Sequence, residues 1–309
     1  MTGTVYRSIN NIYTVKDENG ETYLCRIKGK HLDQAEGEYN PIVVGDRVDF
    51  VPTSKAEGLV LSRLERKGYF ARWNAKNQKN QVICANMDAL ICVTSAMTPP
   101  FRPRFVDRVI ACSRNVDITI CMNKSDILLT EDEFERFSLY KKLGFRIISV
   151  SAKTGENIEE LKKLLVGKRT AFVGQSGVGK SSLVNRLLGA EQRVGELSEK
   201  YNRGCHTTNH ALLLEGDGFS IIDTPGFREI SVPHDDPYLV SKAFPEFEEP
   251  SLKCSYDRCL HTDEPGCMVR ESVEKGMINE DRYSSYLRIL ESLEDRSPVW
   301  SRNVQKNSK

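Results

Sequence analysis

The chain has 309 residues, enough for two or three domains, and 44 basic against 43 acidic side chains give it a net charge of +1. That balance excludes a general electrostatic attraction to nucleic acid, so any such binding must come from local patches. Nine cysteines are scattered except for Cys254, Cys259 and Cys267, which fits a reducing compartment with one metal site better than a disulfide framework; the N-terminus lacks an apolar signal core and no apolar run reaches membrane-spanning length, so the expectation is a soluble, cytoplasmic protein with no membrane partner.

From Thr4 to about Trp73 the pattern is short and alternating. Val5-Tyr6 and Ile12 to Val15 read as strands, Asp17-Glu18-Asn19-Gly20 as a hairpin turn, and Thr22 to Ile27 as the returning strand. Further strands are expected at Arg47 to Val51 and Gly58 to Leu64. Several short strands in so few residues predict a small β-barrel over residues 1–75, with an oligonucleotide-binding (OB) fold leading and a barrel of another family as the alternative.

Arg63 to Lys79 carries six basic side chains beside one acid, Glu65, with Tyr69, Phe70 and Trp73 interleaved. Basic groups track phosphates and aromatics stack on bases, so one reading is an RNA contact. The other is a solvated linker whose aromatics cover the barrel.

From Val82 the rhythm changes to strands alternating with helices, the mark of a parallel sheet covered on both faces. Ala89 to Thr94 and Asp117 to Met122 read as buried strands, with Phe105, Val106, Val109 and Ile110 on one face of a helix between them. A helix from Glu131 to Leu143, a strand from Arg146 to Val150 and a helix from Asn157 to Leu165 follow; strands at His210 to Leu214 and Phe219 to Ile222 come later. This α/β domain is expected over residues 76–245.

Its centre is Gly174-Gln175-Ser176-Gly177-Val178-Gly179-Lys180-Ser181-Ser182, directly after the apolar run Thr170 to Val173. The pattern is that of a phosphate-binding loop: backbone N–H groups curl around phosphates, Lys180 reaches the terminal ones, and the Ser181 hydroxyl ligates magnesium. Glycine permits that curl, and the helix starting near Lys180 turns its positive end toward the same anion. Asn123-Lys124-Ser125-Asp126 follows another strand, where an aspartate can accept hydrogen bonds from the N1–H and 2-amino group of guanine; adenine offers no such pair. Ser151-Ala152-Lys153 resembles the second guanine-binding loop. Asp223-Thr224-Pro225-Gly226 fits a second switch, with Asp223 holding magnesium through water and the Gly226 N–H sensing a γ-phosphate, while Thr207 and Thr208 stand where a switch threonine ligates magnesium. Together these make a guanine-nucleotide set, with GTP or GDP and Mg²⁺ as cofactors.

The order is unusual, because the two guanine-reading motifs precede the phosphate loop instead of following it. That is a circular permutation, tolerable where the old termini of a compact domain lie close together. In the tail, expected as a mainly helical domain over 246–309, Cys254, Cys259, His261 and Cys267 have the composition of a closed structural zinc site. Tyr283, Tyr286, Leu287, Leu290 and Leu293 fall on one helical face. The other cysteines, Cys25, Cys84, Cys92, Cys112, Cys121 and Cys205, read as structural.

Taken with the permuted order, G-V-G-K-S-S-L-V-N, R-G-C-H-T-T, D-T-P-G-F and the spacing C-x4-C-x-H-x5-C, the chain resembles the bacterial ribosome small-subunit-dependent GTPases along its whole length. The resemblance implies a barrel, a permuted GTPase domain and a zinc domain, acting on the small ribosomal subunit and its rRNA late in its maturation, as a monomer. Cys205 stands where that family commonly has arginine, and Asn209 where a third threonine is frequent. Phe227 follows Gly226, where many GTPases have a water-orienting glutamine. His206 is the replacement the resemblance offers; without it, His206 reads equally as a surface histidine. A non-catalytic rRNA-binding adaptor that uses GTP only structurally is the alternative function. An ATP-driven protein is disfavoured by Asp126.

Overall fold

The computed structural model describes residues 1–29, 32, 39–189, 210–233 and 236–294, which divide into two compact units: residues 1–71, 81–102 and 113–229 form the first, and residues 72–80, 103–112 and the segment from Ile230 onward the second. In the first unit, strands β1 (Thr2–Ile9), β2 (Ile12–Asp17), β3 (Thr22–Ile27), β4 (Arg47–Pro52) and β5 (Glu57–Arg63) pair in the order β1-β2-β3-β5-β4, and β4 returns to β1 through Thr2↔Asp49, Gly3↔Val48 and Thr4↔Arg47. That return closes a five-stranded barrel of the OB kind. Alternation decides what fills it: Val5, Tyr13, Val15, Cys25, Val48, Phe50 and Val60 point inward, each large apolar side chain contributing roughly 1.5–3 kcal/mol by leaving water.

The α/β part runs β8 (Ala89–Ser95), β10 (Asp117–Asn123), β11 (Arg146–Ser149), β12 (Arg169–Gly174) and β14 (Phe219–Asp223) as a parallel set ordered β11-β10-β8-β12-β14, with β13 (Leu212–Gly216) antiparallel to β14. Helices α2 (Glu131–Lys142), α3 (Ile158–Leu165) and α4 (Lys180–Leu188) alternate with these strands. Thr130 and Glu133 form a reciprocal capping box that starts α2. Ile91, Val93, Cys121, Phe172, Leu161, Leu183 and Val184 make the core. The parallel directions put the ends of β10, β12 and β14 on one edge of the sheet, where open α/β sheets hold ligands.

Barrel and α/β sheet are one hydrogen-bonded surface, because β1 pairs with β13 at Arg7↔Leu212. Tyr6 and Lys16 both hydrogen-bond the Glu215 carboxylate, at 2.5 and 2.6 Å. Gly45 sits at φ +89°, and a Cβ there would stand 2.0 Å from the Ala85 carbonyl oxygen, so only glycine allows the barrel backbone this approach.

The basic and aromatic stretch is neither wholly linker nor wholly surface. It holds β6 (Tyr69–Asn74), which joins a small sheet with β7 (Lys79–Ala85) and β9 (Ser113–Arg114). Phe70 is buried, and Arg66 forks onto the Asp46 carboxylate with both bonds at 2.8 Å. Part of its charge is thus committed to holding the barrel, which a count of basic residues does not reveal.

The second unit gathers α1 (Pro103–Cys112), α5 (Tyr238–Ser241), α6 (Glu248–Ser251), α7 (Met268–Glu274) and α8 (Glu280–Glu294). Its hub is Arg282, buried on α8, which donates to Asp107 of α1 and, at 2.7 and 3.1 Å, to Glu246. Its guanidinium also lies 4.3 Å from the Phe244 ring centroid. Nothing in the local pattern around Asp107 or Arg282 announces this pair. Among the described residues, no helix is long and apolar enough to cross a membrane.

Candidate nucleotide and metal sites

The phosphate loop leaves the end of β12 and enters α4. Gly177 and Gly179 take φ of +85° and +84°, the left-handed turn that lets successive N–H groups face one point. At Gly179 a Cβ would also meet the Asn123 side-chain nitrogen at 2.5 Å. Asn123 is buried there for a reason. Its side-chain N–H donates to the Val178 carbonyl at 2.9 Å, and its side-chain oxygen accepts from the Ala152 N–H at 3.1 Å. Lys124 joins the same assembly, donating to the carbonyls of Thr98 at 2.5 Å and Gly177 at 2.9 Å.

One residue therefore ties three loops together: the Asn123 to Asp126 loop, the Ser151 to Lys153 loop and the phosphate loop. Asp126 is held beside them. The Ser151 hydroxyl donates to its Oδ1 at 2.7 Å, and Lys153 Nζ lies 3.7 Å from its Oδ2. The Ser151 hydrogen bond first, with Lys153 adding its charge, keeps the Asp126 carboxyl below the usual carboxylate range and hence ionised as an acceptor. Ser125 closes the loops further, donating to Glu156 at 2.6 Å.

Lys180 begins α4 and is buried with Asp223, its Nζ 2.5 Å from Oδ1 and also donating to the Thr224 carbonyl. Ser181 and Ser182 share that first helical turn. Thr224 donates from its hydroxyl to the Phe172 carbonyl at 2.7 Å. Beyond it the chain runs against the phosphate loop: the Phe227 N–H donates to the Gly174 carbonyl at 3.1 Å, and the Ser176 N–H donates to the Phe227 carbonyl at 3.0 Å, beside Gln175. The residues that suit phosphate and magnesium are thus adjacent. Lys180 supplies positive charge, and Ser181 and Asp223 supply the hard oxygens that Mg²⁺ takes. His206, Thr207 and Thr208, with Cys205, lie outside the described residues.

The cysteine cluster is a separate construction in the second unit. The ligand atoms of Cys254, Cys259, His261 and Cys267 all lie within 4.8 Å of one another. His261 presents Nδ1, 3.4 Å from Cys267 Sγ and 3.7 Å from Cys254 Sγ. Three sulfurs and one imidazole converging on one point fit zinc in closed tetrahedral form, with no position left for a substrate. The scaffold holds the loop on every side. Glu264 accepts from the Leu260 and Thr262 N–H groups at 2.6 and 2.8 Å, while Tyr283 and Tyr286 donate to the His261 and Leu260 carbonyls, each at 2.7 Å. Burial pushes His261 down, which keeps its imidazole neutral as a ligand must be. The motifs did not disclose Thr98 or Glu156, which carry no signal in the sequence, and they included Thr224 without showing that its hydroxyl bonds the Phe172 carbonyl.

Comparison with known proteins agrees with this geometry. A family model described as RsgA GTPase matches residues 63–233, and one described as RsgA N-terminal domain matches residues 2–60. A relative from Borrelia recurrentis, named small ribosomal subunit biogenesis GTPase RsgA, is 40% identical over 92% of this chain and 92% of its own. The crystal structure of YjeQ from Thermotoga maritima superposes with a TM-score of 0.70 at 31% identity, covering 96% of this chain and 99% of that one. YloQ, described as a circularly permuted GTPase, gives 0.69 at 25% identity, covering 96% of each. A barrel closed on itself, a parallel sheet threaded in permuted order and a Cys-Cys-His-Cys cluster thus occur together in a chain that belongs to the RsgA GTPase family.

Proposed function

We propose that this GTPase is a nucleotide switch that binds the small ribosomal subunit, touches its rRNA, and hydrolyses GTP during late maturation of that subunit, working as a cytoplasmic monomer. Asp126 reads guanine, with Asn123, Lys124, Ser125, Ser151, Ala152 and Lys153 shaping its loops. Residues 174–182 cradle the phosphates, Lys180 offsets their charge, and the Gly226 N–H senses the γ-phosphate. Ser181 and Asp223, with Thr207 or Thr208, hold magnesium, which when bound neutralises charge developing on the phosphate oxygens. Cys254, Cys259, His261 and Cys267 hold one zinc ion that fixes the fold of the tail. The barrel (1–75), the permuted GTPase domain (76–245) and the zinc domain (246–309) are the three working parts.

The observation that carries this reading is the pair of hydrogen bonds made by the Asn123 side chain, to Val178 of the phosphate loop and Ala152 of the second guanine loop. It joins guanine-reading and phosphate-binding elements despite their permuted order. Hydrolysis by the chain alone is expected to be slow, since Phe227 cannot orient water and His206 must do so. The test is phosphate release from GTP, measured with and without purified small subunits. Slow turnover alone and a marked rise with subunits is the expected outcome; no release in either case would leave only a nucleotide-binding adaptor.

A further inference from the structure

Phe227 is defined in the sequence by what it cannot do, yet its position has a use. The residue is 5% exposed and its ring meets Phe70 edge-on, with centroids 5.9 Å apart and planes at 61°. Phe70 is fully buried and belongs to none of the nucleotide motifs. It lies on β6, which stands between β7 and β9, with Phe70 opposite Ser113, and not in the sheet that carries the phosphate loop.

The segment between Asp223 and Phe227 is aligned along Phe172 to Ser176 by contacts of several kinds. The Thr224 hydroxyl bonds the Phe172 carbonyl, Phe227 exchanges two backbone hydrogen bonds with Gly174 and Ser176, and a Cβ on Gly226 would stand 3.0 Å from the Ser176 Cα. At one end Asp223 is fixed by Lys180. At the other, the Phe227 ring is seated on Phe70. The Gly226 N–H lies between these two anchors, so its direction depends on both.

We propose that Phe70 is a positioning residue for GTP hydrolysis: by seating the Phe227 ring it holds the Asp223–Phe227 segment, and with it the Gly226 N–H, in register with the phosphate loop. The inference rests on the reading of Gly226 as the γ-phosphate sensor. GDP needs only the guanine loops and the phosphate loop, so its affinity does not depend on this register. Affinity for a nucleotide with a γ-phosphate does, and so does turnover.

The experiment uses the full chain and compares Phe70→Ala with Phe70→Leu, which keeps most of the apolar volume. Binding of GDP and of a non-hydrolysable GTP analogue, kcat and KM for GTP, and thermal unfolding are measured for each. Phe70→Ala is expected to bind GDP within about twofold of wild type, to lose about three- to tenfold in analogue affinity, the scale of one edge-on aromatic pair, and to lose a similar factor in kcat. Phe70→Leu is expected to recover part of both losses. Equal weakening of GDP and analogue would overturn the proposal, since that is general destabilisation; so would a wild-type analogue-to-GDP ratio with wild-type kcat. If Phe70→Ala fails to fold, the same ratio in Phe70→Leu decides, and an unchanged ratio there overturns the proposal as well. A wild type that binds both nucleotides alike would fail the Gly226 reading and this inference with it, whereas a discriminating wild type beside an equally discriminating variant removes Phe70 alone.

Discussion

Asn123 donates its side-chain amide to the Val178 carbonyl at 2.9 Å, across 55 residues of sequence. A buried amide left without partners costs about 1–3 kcal/mol, so the phosphate loop and the guanine loop are held in one arrangement. The motif Asn123 to Asp126, which starts on the last residue of β10, is thereby anchored at its first member, while Ser151 and Lys153 hold Asp126 at its other end.

Asp126→Asn replaces an acceptor with a side chain that presents a donor to the guanine 2-amino group. GTP affinity is expected to fall about 10- to 100-fold, the cost of hydrogen bonds to a charged group. Xanthosine triphosphate, with an oxygen at that place, is expected to bind the variant better than GTP does. Competition between the two nucleotides measures it; unchanged GTP affinity contradicts the assignment.

The direction of the Asp126 shift also makes a prediction about pH. A carboxyl held below its ordinary value by Ser151 and Lys153 stays ionised until the pH falls through that lowered value. Guanine recognition by this group is therefore expected to be level from about pH 8 down to about pH 5 and to fail only in stronger acid. In Ser151→Ala the loss should begin at higher pH, as a titration of GDP affinity would register.

His206→Ala is expected to bind GTP as wild type does and to lose subunit-stimulated turnover by about 10² or more, the usual scale for a positioned acid–base group. Stopped-flow binding and phosphate release on the same preparations separate the two effects. Full stimulation in the variant would remove His206 from the mechanism.

Arg282 is buried between two carboxylates, Asp107 and Glu246. Arg282→Met keeps apolar bulk but strands both acids, so unfolding free energy is expected to drop by roughly 3–5 kcal/mol. Adding Asp107→Asn and Glu246→Gln should recover much of it, because neutral amides cost less to bury. Denaturant unfolding of the single and triple variants provides the comparison, and additive losses would contradict a shared cluster.

Cys259→Ser removes one of four ligands from a site whose metal contributes folding free energy to its own segment. One zinc per chain in the wild type and none in the variant is expected, with GTP affinity near normal and small-subunit binding reduced. Co-sedimentation with GDP and with a non-hydrolysable analogue tests whether subunit binding follows the nucleotide, tight with the analogue and weak with GDP. Equal wild-type binding in both states would reject coupling between switch and tail.

Local pattern alone determined a good deal about this protein. Alternation along Ile12 to Val15 and Thr22 to Ile27 set barrel strands, the continuous apolar run at Ala89 to Thr94 set a buried parallel strand, and the spacing of Tyr286, Leu290 and Leu293 set one face of α8. These are periods of two and of 3.6, which report burial of a side chain relative to its near neighbours. The cluster of Cys254, Cys259, His261 and Cys267 was equally local, since a metal gathers ligands close in sequence. Partner choice over long distance was decided only in three dimensions. That Arg66 serves Asp46, that Arg282 reaches Asp107 across 175 residues, that β1 continues the sheet beyond β13, and that Phe70 receives Phe227 follow from which surfaces the folded chain brings together. A basic or aromatic residue looks the same in sequence whether it meets solvent, a carboxylate or another ring; the cost of burying it unpaired is set by the environment and not by its neighbours along the chain.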